Sequence, residues 1–287
     1  MEILGSLIVG VSSGGLFAVF GVLLTLMAML TRVVNFAQVA VGVFGAYVSI
    51  NVLPQSLPSW LTVFSTMVVA AALSALVGWI IVRWLGSAST TMRSAVTVAA
   101  LLGLIALAVF LFGTRPQPLI PLIIGPAFSF RTISVTQVGL AMVGLAIVVA
   151  AASHAMLTWT PLGVSLRAVS DRQMAAELLG INVQALQIGI WAVTGALSGL
   201  TISVVGNAQA ASAASMVTLL IPAAAAALVG AFKHLWLTVL GGLLVGALQG
   251  LLTAFPAVAL AKDWIPIIVI ILLLLWNQRK EVWDVAR

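Results

Sequence analysis

The sequence contains no cysteine and very little charge. Without cysteine, its 287 residues cannot form disulfide bonds or thiolate metal sites. Charged residues make up 6% of the chain and hydrophobic residues 63%, whereas soluble domains carry about 25% charged residues. The composition therefore excludes a soluble globular protein and predicts an all-α polytopic membrane protein.

Residues that carry enzyme chemistry are also scarce. The two histidines, His154 and His234, fall at the ends of predicted membrane spans, so the sequence indicates no metal site. No acid pair and no Ser/His/Asp arrangement suits catalysis, and the G-x-x-x-x-G-K-[ST] motif that binds nucleotide phosphates is missing. We therefore expect no catalytic residue, no metal and no cofactor, and we do not expect an enzyme.

Acidic residues are absent from every predicted span. Carriers driven by protons or sodium commonly need ionisable groups within the membrane, so this absence disfavours a secondary transporter. The net charge of +6 is scattered over loops and is not concentrated in one patch. This distribution is typical of membrane topology and not of nucleic-acid binding.

The uncharged runs predict about eight or nine membrane-spanning helices, because about 20 apolar residues cross a bilayer. We expect the runs to cover residues 3–30, 33–53, 60–82, 95–112, 134–157, 183–205, 216–232, 235–255 and 264–276. The seventh run contains Pro222 and the ninth is short, so broken or short helices are expected there. Together they predict one transmembrane domain over residues 1–287, interrupted by a proline-rich irregular segment at residues 114–132.

Glycines spaced four residues apart predict faces where helices approach each other closely. Three of the runs contain such glycines, at Gly10/Gly14, Gly195/Gly199 and Gly242/Gly246/Gly250. We expect these faces to hold the bundle together.

The basic residues predict the orientation of the chain. With the N-terminus outside and the C-terminus cytoplasmic, nine Lys and Arg residues face the cytoplasm and three face outside, in agreement with the positive-inside rule. The nine are Arg32, Arg83, Arg93, Arg167, Arg172, Lys233, Arg279, Lys280 and Arg287, and the three are Arg115, Arg131 and Lys262. The segment 158–182 is then cytoplasmic.

The segment Thr158–Asn182 gathers several charges between two long apolar runs. Thr160 followed by Pro161 is typical of a helix N-terminus, since threonine caps free N–H groups and proline lacks one. Gly180 is typical of a helix C-terminus. This segment therefore predicts short helices that contact something in water.

A second short helix is predicted within this segment. Ser170 and Gln173 have the spacing of a capping box, which predicts a helix over residues 171–179. Its apolar stripe, which predicts a packing face, comprises Met174, Ala175, Leu178 and Leu179.

Two groups of residues carry a family resemblance that runs nearly end to end. The first is Arg32–Ala37, RVVNFA, with Gly45-Ala46-Tyr47 behind it. The second, within the loop, comprises Thr160, Gly163, Arg167, Ala168, Ala176 and Gly180-Ile181-Asn182. On these residues the chain resembles the membrane permease subunits of bacterial ABC importers for branched-chain amino acids, the LivH type. The wider group also handles urea, amides and other small solutes.

The resemblance implies a location, partners and a coupling role for the loop. It implies a multi-pass subunit of the bacterial cytoplasmic (inner) membrane, paired with a homologous or identical permease, two ATPases and an external solute-binding protein. ATP would then be bound by the partners, and the loop would dock into an ATPase. The residues implied in coupling are Thr160, Pro161, Gly163, Arg167, Ala168, Asp171, Ala176 and Gly180. Arg167 could pair with a carboxylate or contact anionic membrane lipid.

This chain departs from the family pattern at two places. Gln38 and Val39 stand where the family has histidine and glycine, and residues 231–236 replace its glycine-rich turn.

Amide side chains in or near the spans are candidates for the solute path. They are Asn35, Gln38, Asn207, Gln209 and Gln249. A path without fixed charge suits a small neutral or zwitterionic solute. The alternative is that each amide bonds across a helix interface, for about 1 kcal/mol apiece. The alternative function for the whole chain is a stand-alone secondary carrier or facilitator.

Overall fold

A computed structural model shows a helical bundle with one small β-hairpin. It describes the backbone of residues 2–54, 56–86, 88–114, 123, 125–130, 133–209 and 212–285. In chain order its elements are α1 (Glu2–Thr31), α2 (Gln38–Val52), α3 (Ser59–Trp84), α4 (Thr90–Phe112), β1 (Pro126–Phe130), β2 (Ile133–Thr136), α5 (Gln137–Trp159), α6 (Pro161–Asp171), α7 (Gln173–Leu178), α8 (Val183–Gln209), α9 (Ala213–Met216), α10 (Leu220–Val229), α11 (Leu235–Thr253) and α12 (Ile265–Val285). Two 3-10 helices, Val217–Leu219 and Pro256–Trp264, precede α10 and α12.

The predicted all-helical membrane class is confirmed. Among the described residues, seven helices are long and apolar enough to cross a bilayer. Two further apolar helices of the described residues, Gln38–Val52 and Val217–Val229, are shorter than these seven. The second of these contains Pro222 and begins with the 3-10 turn Val217–Leu219. It is short, as its sequence predicts.

The β-hairpin is a feature that the sequence did not predict. Strands β1 and β2 pair antiparallel, with Phe130 opposite Ile133. Thr136 then caps α5, because its hydroxyl oxygen accepts from the N–H of Gly139 at 3.1 Å. The fifth span therefore begins at Gln137 and not at residue 134. Much of the predicted irregular segment, including Arg115 and Arg131, lies outside the described residues.

Helix α1 forms the centre of the bundle. Its most apolar window is 72% buried, and its core side chains include the fully buried Leu23, Leu24 and Met27. It packs most extensively on α11 and also contacts α5, α10 and α8. A hydrophobic helix that is buried on most of its circumference belongs to the interior of the bundle and not to its lipid-facing surface.

The contact between α1 and α11 depends on glycine in both helices. A β-carbon added at Gly14 would lie 2.7 Å from the main-chain oxygen of Gly242, and one at Gly10 would lie 2.5 Å from that of Gly246. The two backbones are therefore in direct contact. The predicted packing role of these glycines is confirmed.

A second group consists of α2, α3 and α8. Gly195 and Gly199 of α8 lie against Ala70 and its neighbours on α3. Helix α2 lies between these two helices and α4, and its tyrosine, Tyr47, is 1% exposed. The apolar windows of α4 and of the segment Pro256–Trp276, which leads into α12, are only 17% and 11% buried, which suits segments that face lipid.

Replacing Gly246 by alanine is expected to destabilise the bundle. The new methyl group would meet the main chain of Gly14 and Gly10, and such overpacking costs about 1 to 3 kcal/mol. The matched control is Gly103→Ala in α4, where an added β-carbon meets nothing within 4 Å. The control should be neutral or stabilising, since alanine favours helix by about 0.5 to 1 kcal/mol. Thermal unfolding in detergent measures both, and equal midpoints would contradict the glycine-dependent contact.

Candidate functional site

Helix α6 begins as the sequence predicts. The Thr160 hydroxyl oxygen accepts from the N–H of Gly163 at 3.1 Å and donates to the carbonyl of Met156 at 2.6 Å. Pro161 occupies the first helical turn. The hydroxyl therefore joins the end of α5 to the start of α6 and sets the sharp bend between them.

Gly163 allows α6 to fold back onto the end of α5. A β-carbon at this position would lie 2.6 Å from the Cα atom of Leu157, so any side chain would push the two helices apart. Leu166 and Val169, each 5% exposed, continue the buried face of α6. Arg167 lies on the exposed face, together with Asp171 at the C-terminal end.

The C-terminal end of α6 is attached to the end of α1. The Ser170 hydroxyl donates to the carbonyl of Met29 at 2.7 Å, and the Arg32 guanidinium donates to the carbonyl of Asp171 at 3.2 Å. Two hydrogen bonds therefore connect this loop directly to the central helix.

The capping-box prediction for the second helix is wrong. Ser170 lies within α6, and α7 begins at Gln173 after Arg172, which makes no side-chain capping bond. Asp171 belongs to α6 as well, so the predicted start at residue 171 is two residues early. The Ser170 hydroxyl instead donates to the carbonyl of a residue 141 positions away in the chain. The spacing of neighbouring residues in the sequence cannot indicate so distant a partner.

Gly180 ends α7 as predicted. Its φ is +80°, a left-handed conformation that glycine adopts without strain. The N–H of Ile181 then bonds to the carbonyl of Ala176 at 3.1 Å, which closes the turn. Asn182 caps α8 by accepting from the N–H of Ala185 at 3.0 Å. This capping role was missed, although asparagine before a helix is a typical signal for it.

The apolar stripe of α7 is exposed, which corrects the predicted packing face. Met174, Leu178 and Leu179 are 77%, 85% and 78% exposed. Helix α7 is held instead by Ala176, which is 1% exposed and packs with Val169. Two further apolar side chains of the loop, Leu162 and Val164, are also exposed. We call the exposed surface formed by Met174, Leu178 and Leu179 the apolar face of the loop.

The eight residues implied in coupling lie together in this α6–α7 unit. Its framework consists of Thr160, Pro161, Gly163, Ala176 and Gly180, whose contacts are described above. Ala168 is partly buried against Val169 and its neighbours, whereas Arg167 is exposed. The buried members of the set therefore hold α6 and α7 together, and the other members remain exposed.

Asn35 and Gln38 form a buried network where the chain enters α2. Both side chains are 0% exposed. The Asn35 amide donates to the Gln38 side-chain oxygen at 2.8 Å, and the Gln38 amide donates to the carbonyl of Thr194 at 2.5 Å. Ser198 donates to the carbonyl of Gln38 at 2.6 Å. The bonds between Gln38 and α8 cross a helix interface and support the packing alternative for Gln38, whereas the bonds of Asn35 are local.

The network satisfies an irregular stretch of backbone. Helix α2 has only 15 residues, about 22 Å of helix. The residues just before it are inside the bundle but are not helical, so their backbone groups lack helical hydrogen bonds. Ser94 and Thr97 of α4 accept from the N–H groups of Val34 and Phe36. The Asn35 side-chain oxygen accepts from the N–H of Ala37 at 3.1 Å. Irregular backbone at this depth persists only where such partners exist.

The remaining path candidates lie near the opposite end of the bundle. Asn207 and Gln209 belong to the last turn of α8, which extends beyond the predicted residue 205. Their side chains lie outside the described residues. Gln249 donates to the carbonyl of Lys262 at 3.3 Å and so joins α11 to the following 3-10 helix. The structure does not bring these three together with Gln38.

Replacing Gln38 by leucine is expected to destabilise the protein. The Asn35 amide loses its acceptor inside the bundle, which costs about 1 to 2 kcal/mol. Gln184→Leu on the exposed side of α8 is the control and should change stability little. Thermal unfolding in detergent compares the two, and unchanged stability of Gln38→Leu would contradict a structural role for the network.

The chain is similar to known permease components along most of its length. Residues 5–275 match the family described as the permease component of branched-chain amino acid transport systems. The probable branched-chain amino acid transport permease protein LivH of Methanocaldococcus jannaschii is 24% identical over 260 residues, 84% of this chain and 78% of that protein. Among solved structures, PsaBC from Streptococcus pneumoniae in complex with Fab is 14% identical, with a TM-score of 0.48, over 95% of this chain and 91% of that chain.

The family match spans the bundle from α1 into α12 and includes both the α2 entrance and the α6–α7 unit. The apolar helices, together with the family match, support a multi-pass protein of the inner membrane. The chain therefore belongs to the family of permease components of branched-chain amino acid transport systems.

Proposed function

We propose that the apolar face of the loop is the docking surface for an ATPase subunit. The observation that supports this most directly is the exposure of Met174, Leu178 and Leu179 on a helix that stands at the end of the bundle. Exposed apolar side chains that cluster on a rigid support are typical of a protein interface. The framework residues Thr160, Pro161, Gly163, Ala176 and Gly180 hold the α6–α7 unit in place.

The proposed orientation places this surface in the cytoplasm, where ATP is available. Arg32, Arg93 and Asp171 line one cavity at the loop end of the bundle, and Arg32, Arg167 and Lys233 line another. Lys262 lies with Gln249 at the far end of α11. The grouping of basic residues at one end supports the orientation that the positive-inside rule predicts.

The contacts of α6 suggest how a movement of the ATPase would reach the membrane. Ser170 and Arg32 attach α6 to the end of α1, and α1 is in backbone contact with α11. Closely packed helices move as units, because their interfaces resist continuous deformation. A push on the loop would therefore move the α1–α11 pair relative to α2, α3 and α8.

The solute that suits this permease is small and neutral or zwitterionic, such as a branched-chain amino acid. The support is the family match and the absence of acidic residues from the long apolar runs between residues 3 and 255. Asn207 and Gln209 remain the proposed contacts with solute, whereas Asn35 and Gln38 hold the α2 entrance. A second permease chain, two ATPases and an external binding protein would complete the importer.

Replacing Leu178 and Leu179 together by aspartate is expected to release the ATPase. Both side chains are mostly exposed, so the fold should persist while the interface loses apolar contacts. Recovery of ATPase with the purified permease from native membranes should fall at least about tenfold. Leu260→Asp is the control, since Leu260 is 92% exposed and lies near the opposite end.

Two outcomes would overturn this assignment. Full recovery of the ATPase with the double variant would exclude the apolar face as the docking surface. Solute movement by the purified chain alone in liposomes would favour the stand-alone carrier.

Replacing Ser170 by alanine tests the link from the loop to α1. The variant loses the bond to Met29 and leaves the docking surface intact, so ATPase recovery should stay normal. ATP-driven uptake in liposomes should fall about fivefold if the bond contributes about 1 kcal/mol to coupling. Ser165→Ala removes only a bond within α6, to Pro161, and should transport normally. Equal uptake by the two variants would contradict this link.

A further inference from the structure

A cavity of about 900 Å³ opens beside the loop, and the exposed side chains of the apolar face do not line it. Its walls come from the ends of α1 and α5, from the C-terminal half of α6 and from the turn that precedes α11. Its position at the ends of long apolar helices places it at the depth of lipid headgroups.

The rim of the cavity is positively charged. Arg32, Arg167 and Lys233 line it, with Asp171 as the one carboxylate among the described lining residues. Three positive charges and one negative charge leave a net charge of +2. The hydrogen bond from Arg32 goes to the main-chain oxygen of Asp171, which is neutral, so this contact does not cancel the guanidinium charge.

The walls of the cavity are mostly hydrocarbon. Leu30 and Leu157 line it from α1 and α5, and Leu235, Trp236 and Leu237 line it from the start of α11. Trp236 is 45% exposed, and an indole ring at a span end is typical of the membrane interface. A cationic rim above apolar walls fits an amphipathic ligand with an anionic head.

The turn that presents Lys233 has a strained backbone. Ala231 and Phe232 both line the cavity and have φ angles of 49° and 53°. Two successive left-handed residues without glycine are unfavourable, and such strain concentrates at binding sites. The turn therefore has a conformation that local sequence preference does not explain.

We propose that this cavity binds the phosphate headgroup of an anionic phospholipid, with one acyl chain along Leu235, Trp236 and Leu237. Basic pockets between transmembrane helices on the cytoplasmic side are suited to such headgroups. The apolar walls favour a lipid over free phosphate, which would leave them in water. The bound lipid would join the loop to α11 from the side opposite the ATPase.

Quenching of tryptophan fluorescence by brominated lipid tests this site. The purified full-length chain is placed in phosphatidylcholine nanodiscs that contain either brominated phosphatidylglycerol or brominated phosphatidylcholine. The contribution of Trp236 is the difference between wild type and Trp236→Phe. We expect brominated phosphatidylglycerol to quench Trp236 more strongly than brominated phosphatidylcholine.

Charge variants show whether the preference resides in the cavity. Lys233→Gln and Arg32→Gln should each lower the preference for the anionic lipid about fivefold. Arg83→Gln is the matched control, because Arg83 is exposed at the same end and does not line the cavity. Lys233→Gln removes no hydrogen bond that supports the loop, so it remains informative if Arg32→Gln folds poorly.

Three results would overturn the proposal. Equal quenching by the two brominated lipids would exclude an anionic-lipid preference. An equal loss in Arg83→Gln would assign the preference to overall charge and not to the cavity. Reversal of the quenching by excess inorganic phosphate would identify a site for the free anion.

Discussion

The direct backbone contact between α1 and α11 is the constraint on which the rest of the structure depends. Apolar side chains gain little by leaving lipid for protein, so helices in a membrane associate through close packing. Gly10 and Gly14 on one helix and Gly242 and Gly246 on the other allow that closeness. With α1 in the centre, α5 and α10 pack around it, and its end becomes the attachment point for the loop.

The same physics explains the polar residues inside the bundle. An unpaired amide or hydroxyl in hydrocarbon is costly, and the irregular entrance to α2 exposes several backbone groups at once. Ser94, Thr97 and Asn35 satisfy these groups, and Gln38 connects the entrance to α8. The motif around Asn35 therefore has a structural role that is independent of any solute.

The two sides of the loop have different chemistry, and this separates two kinds of contact. Its exposed apolar face carries Met174, Leu178 and Leu179 and suits a protein partner. Elsewhere on the loop, Arg167 of α6 lines a basic cavity that suits a lipid headgroup. Both contacts converge on the joint between α6 and α1.

The sequence alone determined the membrane class, the approximate spans, the glycine faces and the helix ends at Thr160 and Gly180, because composition and local spacing govern these features. It did not predict the partner of Ser170 or the exposure of Leu178, and it left open whether Gln38 lines a path or packs between helices. Each depends on contacts between segments far apart in the chain, such as the 141 residues that separate Ser170 from Met29. The tertiary structure decided these, because only the packed bundle determines which polar atoms meet and which apolar surfaces remain uncovered.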